Sequence, residues 1–333
     1  MDKWKIGLWA SVLLLSGCGT LQREPAWVAN PKTVYPENQY LVAIGEGDTR
    51  QAAENAAAGN LSRIFEAHIE SDERLLDQTV ETRKKLERTT DFTSDINILS
   101  SQTLYNIQHA EAWKDKLGRY HAVAYLDRRE TARIYTGKID EQTTRVDFLR
   151  KRAAASDDPL KRYATLRAAV RSANDADYLL RQLKIIHPAS VGSATPGYSM
   201  NDLRSALAEA AKRILVRIDV EGDRDRRMTT VLEQFITNYG FVVGAPAVLD
   251  ITGRVAVNDT GERTQDLVFV RYELDLRIRN AAGDVLVTVN NKGREAHRTL
   301  DQARTRSFRT LENAIKAGGA QRLDAYFDSL IDQ

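Results

Sequence analysis

The five histidines are the residues whose chemistry would first suggest a metal or acid–base site. They are His68, His109, His121, His187 and His297. No two are separated by two or by four positions, so local sequence places no pair of them on one face of a strand or helix. His109 and His121 flank a predicted hairpin turn and would form at most half of a metal site, so we interpret them as ordinary strand histidines. Glu295 and His297 share a predicted strand face, but the sequence indicates no pocket where a general base would meet a substrate.

Two glycines raise the question of a phosphate-binding loop. Gly45-Glu46-Gly47 precedes a predicted helix, whose N-terminus would favour an anion. Arg50 stands where a dinucleotide-binding loop has its third glycine, and the sequence around it shows no parallel βαβ pattern. We therefore interpret the glycines as turn residues before a capped helix. Neither a G-x-S-x-G nor a Walker A sequence occurs, and we predict no catalytic residue, no metal ligand and no cofactor.

The single cysteine, Cys18, stands at a position suited to lipid attachment. A short basic stretch and ten apolar residues, 6–15, precede the sequence LSGC at 15–18. The apolar run is about half of the ~20 residues that a membrane-spanning helix needs, and it has the length of a signal-peptide core. The LSGC sequence resembles the bacterial lipobox. That resemblance implies cleavage before Cys18, a diacylglycerol on its thiol and an acyl chain such as palmitate on its new amine; the alternative is a plain secretory signal with an incidental cysteine.

The residue after the cysteine and the overall composition predict where the protein acts. Gly19 stands where an aspartate would retain a lipoprotein in the inner membrane, so resemblance to sorted lipoproteins implies the outer membrane. Several acyl chains anchor a protein stably without a spanning helix. We expect soluble domains that face the periplasm, with exposure at the cell surface as the alternative. The net charge of +2 argues against nucleic acid as a partner.

Hydrophobic periodicity divides the chain into folded and connecting segments. The signal peptide, residues 1–17, is followed by a polar tether at 18–34. The later segments are an α+β domain at 35–135, a helical segment at 136–187, a Pro/Gly/Ser-rich linker at 188–199 and a C-terminal α+β domain at 200–333. The predicted fold class is α+β, with two small antiparallel-sheet/helix domains, β-α-β-β-α and β-α-β-β-β-α, joined by the helical segment.

In the first domain, a strand, a capped helix and a hairpin are predicted. Residues 40–44 (YLVAI) have the composition of a buried strand. Asp48 is the expected cap of the following helix, with Gln51 as its capping-box partner. Alternation with period two on both sides of a glycine-containing turn predicts a β-hairpin at 107–126.

The C-terminal domain contains the strictest alternation in the chain. Six apolar residues share one face of the predicted strand: Val268, Val270, Tyr272, Leu274, Leu276 and Ile278. We expect the apolar stripe of the terminal helix to cover that face. The opposite face carries charged residues such as Arg271, Glu273 and Arg277, and it would be available to a partner.

Two further features allow a structural or a functional interpretation. The charged run at 223–227 (DRDRR) is either the solvated start of a helix or a contact for an anionic partner such as peptidoglycan, and we favour the helix start. Trp27 either lies at the membrane interface or closes the core of the first domain, and we favour the core.

Three segments of the first domain resemble the bacterial "LPP twenty" lipoprotein family. They are PAWV at 25–28, YLVAIGEG at 40–47 and YHAVAYLDR at 120–128. The resemblance implies an envelope lipoprotein domain without established catalytic residues, in a family that includes outer-membrane, surface and flagella-linked members. The C-terminal domain is similar in topology to small αβ domains of penicillin-binding-protein activator lipoproteins and flagellar ring proteins.

Two functions are consistent with these features. The first is an outer-membrane-anchored, non-enzymatic interaction or assembly module, a periplasmic scaffold associated with flagella or with peptidoglycan synthases. Its partners would be the outer membrane, through lipid on Cys18, and an envelope protein or peptidoglycan. The alternative is a hydrolase of the cell wall or of envelope lipids, which would require a pocket that gathers carboxylates or histidines from distant segments.

Overall fold

The computed structural model describes residues 23–81, 104–264 and 266–331. Helices and sheets are both abundant, and the α+β prediction is confirmed. The chain forms two compact units. Of the described residues, the first unit contains 23–63 and 107–127, and the second contains 64–81, 104–106 and those from 128 onward. The predicted helical segment, 136–187, and the predicted C-terminal domain, 200–333, thus lie together in the second unit.

The first unit contains a small antiparallel sheet. Its elements are α1 (Ala26–Ala29), a 3-10 helix (Pro31–Thr33), β1 (Tyr40–Gly47), the beginning of α2 (Arg50–Glu81), β2 (Gln108–His109), β3 (Trp113–Lys114) and β4 (Tyr120–Asp127). Strand β1 pairs with β4 along its whole length, and β2 and β3 also pair with β4. The hairpin turn contains Gly118, whose φ of 88° is the left-handed conformation that glycine adopts without strain. The predicted hairpin is confirmed.

Strand β1 continues through the two glycines that the sequence assigned to a turn. A Cβ atom on Gly45 would lie 2.1 Å from the backbone nitrogen of Ala57, and one on Gly47 would lie 2.7 Å from the Cβ of Ala52. These glycines therefore allow α2 to pack directly against the strand. The cap is also corrected from Asp48 to Thr49, whose Oγ1 accepts from the amide of Ala52 at 3.1 Å, because the helix begins at Arg50.

The part of the second unit that follows residue 127 begins with two long helices. They are α3 (Arg128–Ala154) and α4 (Pro159–Ile186). The Oδ1 of Asp158 caps α4 by accepting from the amide of Leu160 at 2.8 Å, and Pro159 occupies the first turn, where a proline is favoured. Short helical turns occupy most of the predicted linker. These are a 3-10 helix (Pro188–Ser190) and α5 (Val191–Ala194), and α6 (Met200–Lys212) follows.

A five-stranded mixed sheet completes this unit. Its elements are β5 (Leu215–Glu221), α7 (Arg227–Asn238), β6 (Val242–Val243), β7 (Leu249–Thr264), β8 (Leu267–Asn280), β9 (Val285–His297), α8 (Leu300–Asn313), a π-helix (Ala314–Gly319) and α9 (Ala320–Ser329). The strand order is β6-β5-β7-β8-β9. Strand β5 runs parallel to β6 and β7, whereas β7, β8 and β9 are antiparallel. The predicted sheet was wholly antiparallel; the helical crossover through α7 returns the chain to the same end of the sheet, which makes β5 and β7 parallel.

In the core of the second unit, residues of α4, α7, α8 and α9 pack on one face of this sheet. In β8, Leu274, Leu276 and Ile278 are at most 3% exposed, and they belong to the same apolar cluster as Leu323 and Phe327 of α9. The predicted face and its cover by the terminal helices are therefore confirmed. Residues of α4, including Leu160 and Tyr163, belong to this cluster too.

Candidate functional site

The predicted lipid attachment site, Cys18, lies outside the described residues. Trp27 is only 8% exposed, which confirms the interpretation that it belongs to the core. Within the described ranges, the structure contains no helix that is long and apolar enough to cross a membrane.

The structure separates the two histidines that flank the hairpin turn. His109 on β2 is opposite Ala124, whereas His121 on β4 is opposite Trp113 on one side and Glu46 on the other. His187 has its Nδ1 2.8 Å from the Oγ of Ser190. These positions do not assemble a shared metal site, and in the described residues no group of three or more His, Cys, Asp or Glu side chains is placed so that it could hold a metal ion.

Glu295 and His297 engage separate neighbours. The Oε1 of Glu295 accepts a 3.1 Å hydrogen bond from the hydroxyl of Thr310 in α8. The Nδ1 of His297 accepts from the amide of Arg298 at 2.9 Å. Both contacts connect β9 to residues that follow it in the chain, so Glu295 and His297 each help to stabilise the fold. The side chain of His68 lies outside the described residues.

His121 instead lies at the centre of a polar cluster in the first unit. It is 7% exposed, with its Nε2 3.2 Å from the Oδ2 of Asp115 and its Nδ1 3.6 Å from the Oε1 of Glu46. Arg119 forms an ion pair with Glu46 at 2.9 Å. The indole of Trp113 packs beside the imidazole, with ring centroids 5.3 Å apart. The sequence did not reveal this cluster, because it depends on the register of three strands.

The contacts of Asp115 show that the cluster stabilises the hairpin turn. Its Oδ1 accepts from the amides of Leu117 at 2.8 Å and Arg119 at 2.9 Å. Burial alone would raise the pKa of Asp115, but these amides and the His121 ring outweigh it and hold the pKa below its usual value. The described contacts of His121 are carboxylates and an indole, and they include no hydroxyl or thiol nucleophile. A carboxylate–histidine–carboxylate arrangement of this kind fixes the turn.

The charged run at 223–227 begins helix α7. The carboxylate of Asp223 accepts from the amides of Met228 at 3.2 Å and Thr229 at 2.7 Å. Arg226 adopts the left-handed conformation with a φ of 53°, and its guanidinium pairs with Glu233 at 3.0 Å. The favoured interpretation as a solvated helix start is confirmed.

One face of the second sheet remains as the candidate interaction surface. Register and alternation place the following residues on the side opposite the apolar core, here called the open face: Arg217, Asp219, Glu221, Asp250, Thr252, Arg254, Arg271, Glu273, Asp275, Arg277, Arg279, Lys292 and Arg294. All are exposed or half-buried. Basic side chains outnumber acidic ones on this surface.

Charged side chains of the open face contact polar neighbours both across and along its strands. The Nε of Arg217 lies 2.8 Å from the Oδ1 of Asp250. The two groups form an ion pair, but their angle is not that of a hydrogen bond. Arg279 donates to the hydroxyl of Thr252 at 2.7 Å, and Arg277 pairs with Asp275 at 3.3 Å. Exposed pairs of this kind contribute little to stability, typically ~0–1 kcal/mol. A charged sheet surface is suited to contact with a macromolecule of complementary charge.

Comparison with known proteins bears on the first unit. Residues 25–127 match the family model of the LPP20 lipoproteins, which confirms the resemblance of the N-terminal domain to that family. This match supports a lipoprotein of the cell envelope. No curated protein matches the chain.

Solved structures show distant likenesses. The secreted protein HP1454 from Helicobacter pylori is 12% identical, with a TM-score of 0.41, over 82% of this chain and 96% of that protein. A minor lipoprotein from Acinetobacter baumannii is 12% identical, with a TM-score of 0.25, over 36% of this chain and 92% of that protein.

Proposed function

We propose that the chain is a lipoprotein anchored in the outer membrane through Cys18, and that it acts in the periplasm as a non-enzymatic interaction or assembly module. The envelope partner would be a protein, such as a flagellar component or a peptidoglycan synthase, or peptidoglycan itself. The match of residues 25–127 to a lipoprotein family supports the envelope location.

The open face is the observation that carries this proposal. Helices cover one side of the sheet with apolar side chains, while the other side presents alternating charges on four adjacent strands. Such charges contribute little to folding, so a binding role accounts for them better than a stabilising one. The hydrolase alternative would need a nucleophile beside a base, and the cluster at His121 supplies only carboxylates and an aromatic ring.

Site-specific photo-crosslinking in cells tests the proposal. A photoreactive residue replaces Glu273, at the centre of the open face, and in a matched strain it replaces Arg309, an exposed residue of α8. We expect a discrete crosslinked species from position 273 that is lost when Arg277→Glu is added. Equal crosslinking from both positions, or none from position 273, would refute a specific partner at the open face.

A further inference from the structure

The second unit also contains a cleft, which is lined by residues of three helices and lies apart from the open face. It encloses about 310 Å³ between the end of α3, the beginning of α4 and one side of α6. This volume lies in the range of small-ligand clefts, about 300–1,000 Å³, and is too small for a folded partner. Its floor is built from small or buried apolar residues, among them Ala153, Leu203 and Ala210, which are 1%, 2% and 5% exposed.

Three guanidinium groups from three different elements line this cleft. Arg150 comes from α3, Arg162 from α4 and Arg213 from the residue that ends α6. Among the described residues, Arg162 has no ion-pair partner, and the pairing of Arg150 with Asp147 at 3.6 Å is exposed on both sides. Guanidinium groups present paired N–H donors that match carboxylates in geometry. The cleft is therefore able to bind a ligand with more than one carboxylate.

Two carboxylates add negative charge to the lining of the same cleft. Asp202 and Glu209 also line it, about two turns apart along α6. Glu209 pairs with Lys212 at 2.7 Å, but both side chains are more than 60% exposed, so the pair exchanges readily with solvent. Guanidinium and carboxylate groups above a floor of methyl groups are complementary to a short zwitterionic peptide with small side chains.

We propose that this cleft binds the peptide stems of peptidoglycan. A stem is a short peptide that combines alanine methyl groups, several carboxylates and the free amine of a diamino acid, and each of these groups has a counterpart in the cleft. The glycan strands carry few of them. The inference rests on the proposed periplasmic location, but it uses a different surface from the open face.

Calorimetric titration of the full chain in detergent with a free stem tetrapeptide tests this inference. We expect binding at low salt that weakens at 0.5 M salt, because the contacts are charged. The double variant Arg162→Glu/Arg213→Glu should weaken binding at least tenfold. The matched control is Arg204→Glu, an exposed arginine of α6 that does not line the cleft, and it should change the affinity by less than twofold.

Three outcomes would overturn the proposal. The first is the absence of binding to the tetrapeptide, and the second is an equal loss of affinity in Arg204→Glu, which would indicate general attraction to positive charge. The third is equal binding of an acidic linear peptide of L-residues, which would identify a protein segment as the occupant. Circular dichroism verifies that the variants are folded. The open-face crosslink from position 273 should persist in the double variant, so failure at the cleft and failure of the proposed function are separate results.

Discussion

Leu276 and Arg277 are adjacent in β8, and we expect the Leu276 side chain to contribute far more to stability than the Arg277 side chain. Leu276 is 2% exposed and belongs to the main core. Its Cδ2 lies 2.6 Å from where a Cβ atom on Gly253 would be, so it fills the space above a residue without a side chain. Leu276→Ala therefore leaves a cavity that Gly253 cannot fill. Since such truncations cost ~2–5 kcal/mol and more when the site cannot collapse, we expect a loss of about 3–5 kcal/mol.

The neighbouring substitution Arg277→Glu should have a small effect. The Arg277 side chain is 49% exposed, and its partner Asp275, 3.3 Å away, is similarly exposed. Loss of this pair and the new repulsion from Asp275 together should cost less than about 1 kcal/mol. Urea unfolding of the full chain, followed by far-UV circular dichroism, measures both free energies. If Arg277→Glu lost more free energy of unfolding than Leu276→Ala, the assignment of core and open face would be refuted.

Three other predictions concern the rest of the chain. Gly45→Ala should unfold or strongly destabilise the first unit in thermal denaturation, because its Cβ would lie 2.1 Å from a backbone nitrogen of α2, whereas Gly59→Ala, with nothing within 4 Å, should be neutral or stabilising. Cys18→Ala should leave an unprocessed precursor that incorporates no labelled palmitate, and continued labelling would exclude this lipid site. The two-pronged hydrogen bond from Arg263 lowers the pKa of Asp259 to about 2; NMR titration should show this midpoint, and Arg263→Gln should raise it. Because this pKa is lowered, the stabilisation from the pair is present above pH ~4 and is lost as the pH falls towards 2.

Elements specified by neighbouring residues were predicted well. The alternation at 268–278 identified the buried face of β8, because side chains of a strand alternate between its two faces. The start of α4 is likewise set by neighbouring residues, since the capping side chain of Asp158 and the proline at 159 are both favoured at a helix N-terminus.

Features that depend on distant contacts were missed. The glycines at 45 and 47 have the composition of a turn, and only the packing of α2 shows that they are close-contact residues of a strand. The mixed sheet was not anticipated, because the pairing of β5 with β7 depends on the path of the chain through α7. Likewise, apolar residues of α4 were assigned to a separate segment, although they share a core with the C-terminal sheet.

The two candidate surfaces differ in the same way, since one depends on neighbouring residues and the other on residues that are distant in the sequence. The open face follows from the alternation of a single strand, so its charged residues in β8 were identified from the sequence. The cleft gathers Arg150, Arg162 and Arg213 from three elements, so no periodic pattern within one helix or strand relates these positions. A binding function there would leave no local pattern in the sequence. The absence of catalytic motifs from the sequence therefore has no bearing on a cleft whose binding groups converge only in the folded protein.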